Sequence, residues 1–178
     1  MRFSYYDRLS VARQKIYRRS DAILTLGLPP GLQLAGTVQR IESALRDDDR
    51  DALQRSCQEL VDARNAGYRV PPARVRILAR RPVEGDGELH GLYEPGERQA
   101  PARITAWMRT AQRRQVVAFK TFLRTLIHEL CHHLDYELFA LEETFHTEGF
   151  YKRESSLVTA LLARRDVPAA AGGDTPKP

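Results

Sequence analysis

Five consecutive residues, His128-Glu129-Leu130-Cys131-His132, constrain this chain more than anything else in its sequence. They spell H-E-x-x-H inside a segment of helical periodicity, with apolar side chains at 119, 122, 123, 126, 127, 130, 134 and 138 on one broad face. Histidines four apart project from the same side of a helix, one turn from each other. From there two imidazoles reach a single metal ion, at about 2.0–2.1 Å each for zinc. Glu129 then stands beside the metal's open position, where a carboxylate can take a proton from zinc-bound water. The spacing points to metal-assisted hydrolysis, most often of a peptide bond. The plain alternative is a core helix with solvent-facing histidines. Against it, His128, His132 and His133 crowd together in a chain with only five histidines.

A catalytic zinc site takes three protein ligands and a water. The spacing that puts a third histidine six residues after the second meets Leu138, which cannot ligate. Three candidates remain: His146, Glu154 and Asp135. His146 is preferred. It stands just before a helix expected over 148–165, with Thr147 placed to cap it. In that helix Phe150, Glu154, Leu157 and Leu161 share a stripe that is apolar except for Glu154, an inward carboxylate that needs a partner. Glu154 suits a ligand, a group orienting a ligand histidine, or an ion pair with a core arginine. Asp135, three residues past His132, is placed to accept a ring N–H from a histidine or to stand as a solvated helix charge. Cys131 fits a small core residue better than a ligand. His133 should turn away from the zinc face, and His90 fits a surface strand. Tyr151 and Tyr136 are candidates to stabilise the oxyanion of hydrolysis, Tyr151 first because it lies near His146; plain packing is the alternative for both.

The stretch from about 104 to 162 resembles the SprT-like zinc metallopeptidases. The matching residues are His128, Glu129 and His132 with their Leu130-Cys131 filler, then His146, then the aromatic Phe150 four residues later. The resemblance implies one zinc ion per chain held by His128, His132 and His146, with Glu129 as general base. It also implies a zincin-like core with a strand ahead of the metal helix. Some members of that family cut proteins crosslinked to DNA.

The expected fold class is α+β: a zincin-like core with a small sheet packed on the metal-binding helix, preceded by an N-terminal helical region. A chain of 178 residues suits a single domain. Residues 1–70 form the helical region, packed on the core or leading into it. Within it helices are expected over 3–24, 36–46 and 50–66, with Gly67 ending the last. Residues 71–167 form the core. Arg74 to Arg80 alternates basic and apolar side chains, as a half-exposed strand does. A loop over 82–87 follows, then strands over 90–93 and 103–108, either of which could be the exposed edge that pairs with extended substrate. The chain should enter the metal helix near Gln112. Residues 168–178 form a tail expected to be disordered.

The net charge of +5 and a pI near 9.5 raise the question of an anionic partner such as DNA. Basic residues gather at 13–19, at Arg74, Arg76, Arg80 and Arg81, and at Arg109, Arg113 and Arg114. Acidic runs such as Asp47-Asp48-Asp49 offset them, and a solvated surface is the favoured reading. Two distant cysteines, Cys57 and Cys131, fit a reducing cytoplasm. No signal peptide or membrane-spanning run is visible. The expected activity is that of a zinc-dependent endopeptidase acting on protein or peptide. The rivals are a module that zinc merely staples, with a fourth protein ligand, and a nucleic-acid-binding regulator with a degenerate core.

Overall fold

The computed structural model of the chain describes residues 3–29, 34–85, 87–97 and 100–165. It is α+β, with five α-helices and a three-stranded mixed sheet among those residues. The expected tail over 168–178 lies outside them, as do the last two residues of the expected core.

The N-terminal segment is not one helix over 3–24. A 3₁₀ turn, Tyr6–Arg8, comes first, and α1 runs from Val11 to Asp21. Ser10 starts α1, its hydroxyl accepting from the Arg13 amide at 3.3 Å. Helices α2 (Ala35–Arg46) and α3 (Arg50–Tyr68) form the expected pair. Asp49 caps α3 by accepting from the Ala52 amide at 2.9 Å. Gly67 does not end α3. The helix runs one residue past it, and Arg69 takes the left-handed conformation at φ 58° before Pro71-Pro72 bars continuation.

Strand β1 (Ala73–Arg80) is followed by a hairpin of two-residue strands, β2 (Val83–Glu84) and β3 (Gly87–Glu88), where a plain loop was expected. Then come β4 (Gly91–Glu94) and β5 (Ala102–Arg109). The sheet order is β1-β5-β4, with β5 parallel to β1 and antiparallel to β4. The strand around 103–108 is therefore central, and its run of buried residues from Ile104 to Met108 fits that position. Strand β1 alternates as expected, Ala73, Val75 and Ile77 inward and Arg74 and Arg76 outward.

Two glutamines of α3 close the outer edge of β1. Gln58 bonds Ala73 O and the Val75 amide at 3.0 and 2.7 Å, and Gln54 bonds Val75 O and the Ile77 amide at 2.6 and 2.7 Å. Side-chain amides thus stand in for a further strand. The other edge strand is β4, and β4 lies on the helix that carries His128 and His132.

That helix, α4, spans Phe119–Glu137 and begins later than Gln112. The chain between β5 and α4 first makes a tight turn, with Arg109 and Val116 bridged and Arg114 at φ 54°. Helix α5 spans Glu148–Arg165, and the Thr147 hydroxyl caps it by accepting from the Phe150 amide at 2.9 Å. One hydrophobic core runs through α2, α3, the sheet, α4 and α5, from Val38 and Leu53 through Ile104 to Leu126 and Leu157. Helices α2 and α3 thus share this core, whereas α1 packs on α5 and buries Tyr17 in a separate small cluster with Tyr6 and Phe145. No helix of the described residues is long and apolar enough to cross a membrane.

Candidate metal centre

Helix α4 turns its apolar stripe into the core, and His128 and His132 emerge one turn apart beside β4 and α5. The loop after α4 returns the chain so that His146 meets them. The three Nε2 atoms form a near-equilateral triangle: 2.9 Å between His128 and His146, 3.2 Å between His132 and His128, 3.1 Å between His146 and His132. Among the described residues these three form the group of His, Cys, Asp and Glu side chains whose donor atoms lie within 4.8 Å of one another.

The opposite ring nitrogens determine where the lone pairs point. His128 Nδ1 lies 2.8 Å from Glu154 Oε2, whose other oxygen accepts from Arg124 Nη1 at 2.5 Å. An ionised carboxylate only accepts, so His128 carries its proton on Nδ1. The Thr144 hydroxyl donates to Asp135 Oδ2 at 2.7 Å and so accepts from His132 Nδ1 at 2.8 Å. The Nε2 atoms of His128 and His132 therefore face each other as lone pairs, and His146 has at most one proton to place between them. Such an arrangement is repulsive without a cation and well suited to one. Nitrogens around a tetrahedral zinc with 2.0–2.1 Å bonds stand about 3.3–3.4 Å apart, close to the triangle seen here. The fully buried Phe150 ring lies against all three imidazoles, at 4.7, 4.9 and 5.3 Å between centroids, and forms the floor of the site.

Burial pushes His132 down to about 2 and also lowers His146, a direction that favours the neutral ring a metal ligand needs. Glu129 is buried between α4 and β4, and its carboxylate accepts from the Tyr93 amide. Burial raises it to about 7, with the neighbouring His128 acting in the opposite direction. A dication on the triad would pull it back toward the ionised form. Gly91 leaves the space Glu129 occupies: a Cβ there would sit 2.8 Å from Glu129 Cγ and Thr125 Cγ2, and closer still to Glu129 Oε1. Triad and Glu129 together line an open cleft of about 770 Å³, bordered by Leu92, Tyr93, Tyr136 and Tyr151.

The other sequence candidates fall around this centre. Glu154 is buried on the Nδ1 side of His128, behind the triad, and its arginine partner is the half-exposed Arg124. Asp135 is fully buried. It reaches the ring of His132 through Thr144 and pairs with Arg153 at 2.5 Å. Burial pushes its carboxyl up, and Arg153 and Thr144 pull it down. Tyr151 stacks on His146 at 5.9 Å and lines the cleft; Tyr136 lines it from α4 and stacks on Tyr93. His133 turns away from the triad, with Nε2 2.9 Å from Pro71 O and Nδ1 3.2 Å from the Tyr93 hydroxyl. His90 is exposed on the cleft wall. Cys131 is a core thiol, raised by burial.

Sequence reasoning missed Thr144, Arg124, Gly91 and Arg153. None is of a type that signals ligation, and their roles come from segments meeting in space. Of the basic clusters, Arg13 and Arg19 pair with Glu143 and Glu142, Arg81 with Glu88, and Arg109 with Asp48. Arg74, Arg76 and Arg80 stand exposed on β1. Comparison with protein-family models, curated proteins and solved structures finds no match.

Proposed function

We propose that this chain is a zinc-dependent endopeptidase with a zincin-like core, similar in kind to the SprT-like metallopeptidases. The observation that carries the proposal is the convergence of three imidazole nitrogens whose opposite ring nitrogens are engaged, for His128 and His132, by a carboxylate and a hydroxyl. His128, His132 and His146 would hold one zinc ion per chain. Bound there, the metal would bring a water toward neutral acidity and polarise the scissile carbonyl.

The remaining work falls to the chain's own groups. Glu129 takes the proton from the attacking water and passes it to the leaving nitrogen. Its bond from the Tyr93 amide aims the carboxylate across the cleft. Glu154, with Arg124 behind it, keeps the His128 proton on Nδ1, and Thr144 does the same for His132. Tyr151, on the rim beside His146, is placed to donate to the oxyanion. Strand β4, at the edge of the sheet, offers main-chain groups to an extended peptide along the same cleft.

A stapling site would be closed by a fourth protein ligand, whereas the group of converging donors among the described residues has three members. The test is Glu129→Gln, which should retain zinc and lose turnover on an unstructured protein substrate. Full turnover in that variant would end the proposed mechanism.

A further inference from the structure

The histidine triad is drawn from α4 and the loop after it, yet much of what holds His132 and His146 in place comes from the other end of the chain. We propose that the N-terminal arm and α1 are a working part of the metal centre, with Tyr5, Thr144 and Arg153 as positioning residues for its second and third histidines. The inference rests on the zinc reading above and adds to it the element on which metal retention depends.

One line of contacts runs from the partly buried Thr144 inward to the fully buried Asp135 and Arg153. His132 Nδ1 donates to Thr144, Thr144 donates to Asp135, and Asp135 accepts from Arg153. Arg153 is fully buried, and its two terminal nitrogens also reach the end of α1: Nη1 reaches Ser20 O at 2.9 Å and Ile23 O at 3.2 Å, and Nη2 reaches Ser20 Oγ at 2.9 Å. A ligand ring is thus oriented, four groups away, by the carbonyls that close α1.

A second line holds the third histidine. The Tyr5 hydroxyl donates to the backbone carbonyl of His146 at 3.0 Å. Phe145, just before His146, is buried in a small core of its own with Tyr6 and Tyr17. Thr147, just after it, is fully buried with its hydroxyl 3.5 Å from Ser20 Oγ. Both neighbours of the ligand are therefore seated on the N-terminal segment, and the His146 ring projects from between them. The next turn is fitted just as closely. Asp21 Oδ1 accepts from the Gly149 amide at 2.9 Å, and a Cβ on Gly149 would stand 2.7 Å from the Asp21 carbonyl carbon. Arg19 reaches the carbonyls of Phe139 and Ala140 at 3.3 and 3.2 Å, which fastens the start of the loop.

The physical consequence is preorganisation. A histidine in an untethered loop must be ordered at the moment of metal binding, and ordering a backbone is costly. Here α1 has already ordered it. Polar groups behind ligand histidines typically change metal affinity by about 10- to 100-fold.

The experiment compares wild type with Thr144→Val, Thr144→Ser and Tyr5→Phe as full-length chains. Zinc affinity is read by chelator competition, ligand geometry by the visible absorption of the cobalt(II) form, and folding by the thermal midpoint of the metal-free protein. Thr144→Val should bind zinc about 10- to 100-fold more weakly with an altered cobalt spectrum, and Thr144→Ser should restore both. Tyr5→Phe keeps the ring and loses one hydrogen bond, and it should weaken zinc about fivefold with little change in the metal-free midpoint. Should Thr144→Val not fold, Tyr5→Phe carries the test alone. Wild-type affinity and spectrum in folded variants would overturn the inference and leave the zinc reading standing. A wild type that binds neither zinc nor cobalt would overturn both.

Discussion

Replacing Gly91 with alanine should cripple catalysis while sparing the metal. The added methyl would meet Glu129 Cγ and Thr125 Cγ2 at 2.8 Å, with Glu129 Oε1 nearer still. Carbon atoms in contact prefer about 3.5–4.0 Å, so something must yield by roughly 1 Å. Thr125 belongs to the body of α4, and β4 is held to β5 along four register pairs from Gly91↔Ala106 to Glu94↔Arg103. The carboxylate of Glu129 is the softest of the groups involved. A displacement of about 1 Å in a catalytic group lowers rate on the order of 100-fold. Overpacking of this kind costs about 1–3 kcal/mol in stability. His128 and His132 point into the triad from the same helix, and neither supplies one of the three atoms nearest the new methyl. The assay measures turnover of an unstructured protein substrate, zinc per chain and the urea midpoint together. The expected result is about one zinc, a modestly lowered midpoint and turnover reduced roughly 100-fold. Undiminished turnover would show that the position of Glu129 against β4 has no part in the chemistry.

Other outcomes follow from the same contacts. Glu154→Gln removes the charge that fixes the His128 tautomer and leaves Arg124 without its carboxylate; zinc affinity by chelator competition should fall about 10- to 100-fold. Acid should destabilise the metal-free protein. His132 and His133, both buried, are lowered in the folded state, chiefly by burial, so the unfolded chain binds more protons below about 6.5. Their contribution is complete above that pH and is lost on acidification, by about 1.4 kcal/mol per pH unit for each group not offset. Glu129, raised to about 7, acts in the opposite sense between about 4.5 and 7 and offsets one of them. Urea midpoints at pH 7.5, 6 and 5 should therefore decrease in that order; a flat series would contradict the burial of His132 and His133.

Much of this arrangement was legible in the sequence because it is local. Apolar periodicity marked α4 and α5, the acidic run at 47–49 separated α2 from α3, and Thr147 marked the start of α5 through a single hydroxyl. The entry into α4 was misplaced because residues 112–118 contain neither glycine nor proline, and the turn there is made by Arg114 in a left-handed conformation. Gly67 looked like a helix end, yet Pro71-Pro72 decided the matter further on. The position of β4 at the edge could not be read locally, since it depends on β5 pairing in parallel with β1 across the intervening chain. The route from Asp135 to His132 was hidden for the same reason. Its middle member, Thr144, belongs to a loop whose path is set by α1, more than a hundred residues away in sequence.

The most direct measurement is zinc per chain in purified wild type beside His146→Ala, each reconstituted and then dialysed against a weak chelator. The three-histidine account predicts about one zinc in the wild type and far less in the variant. Wild-type zinc content in His146→Ala, or no zinc in either protein, would contradict it.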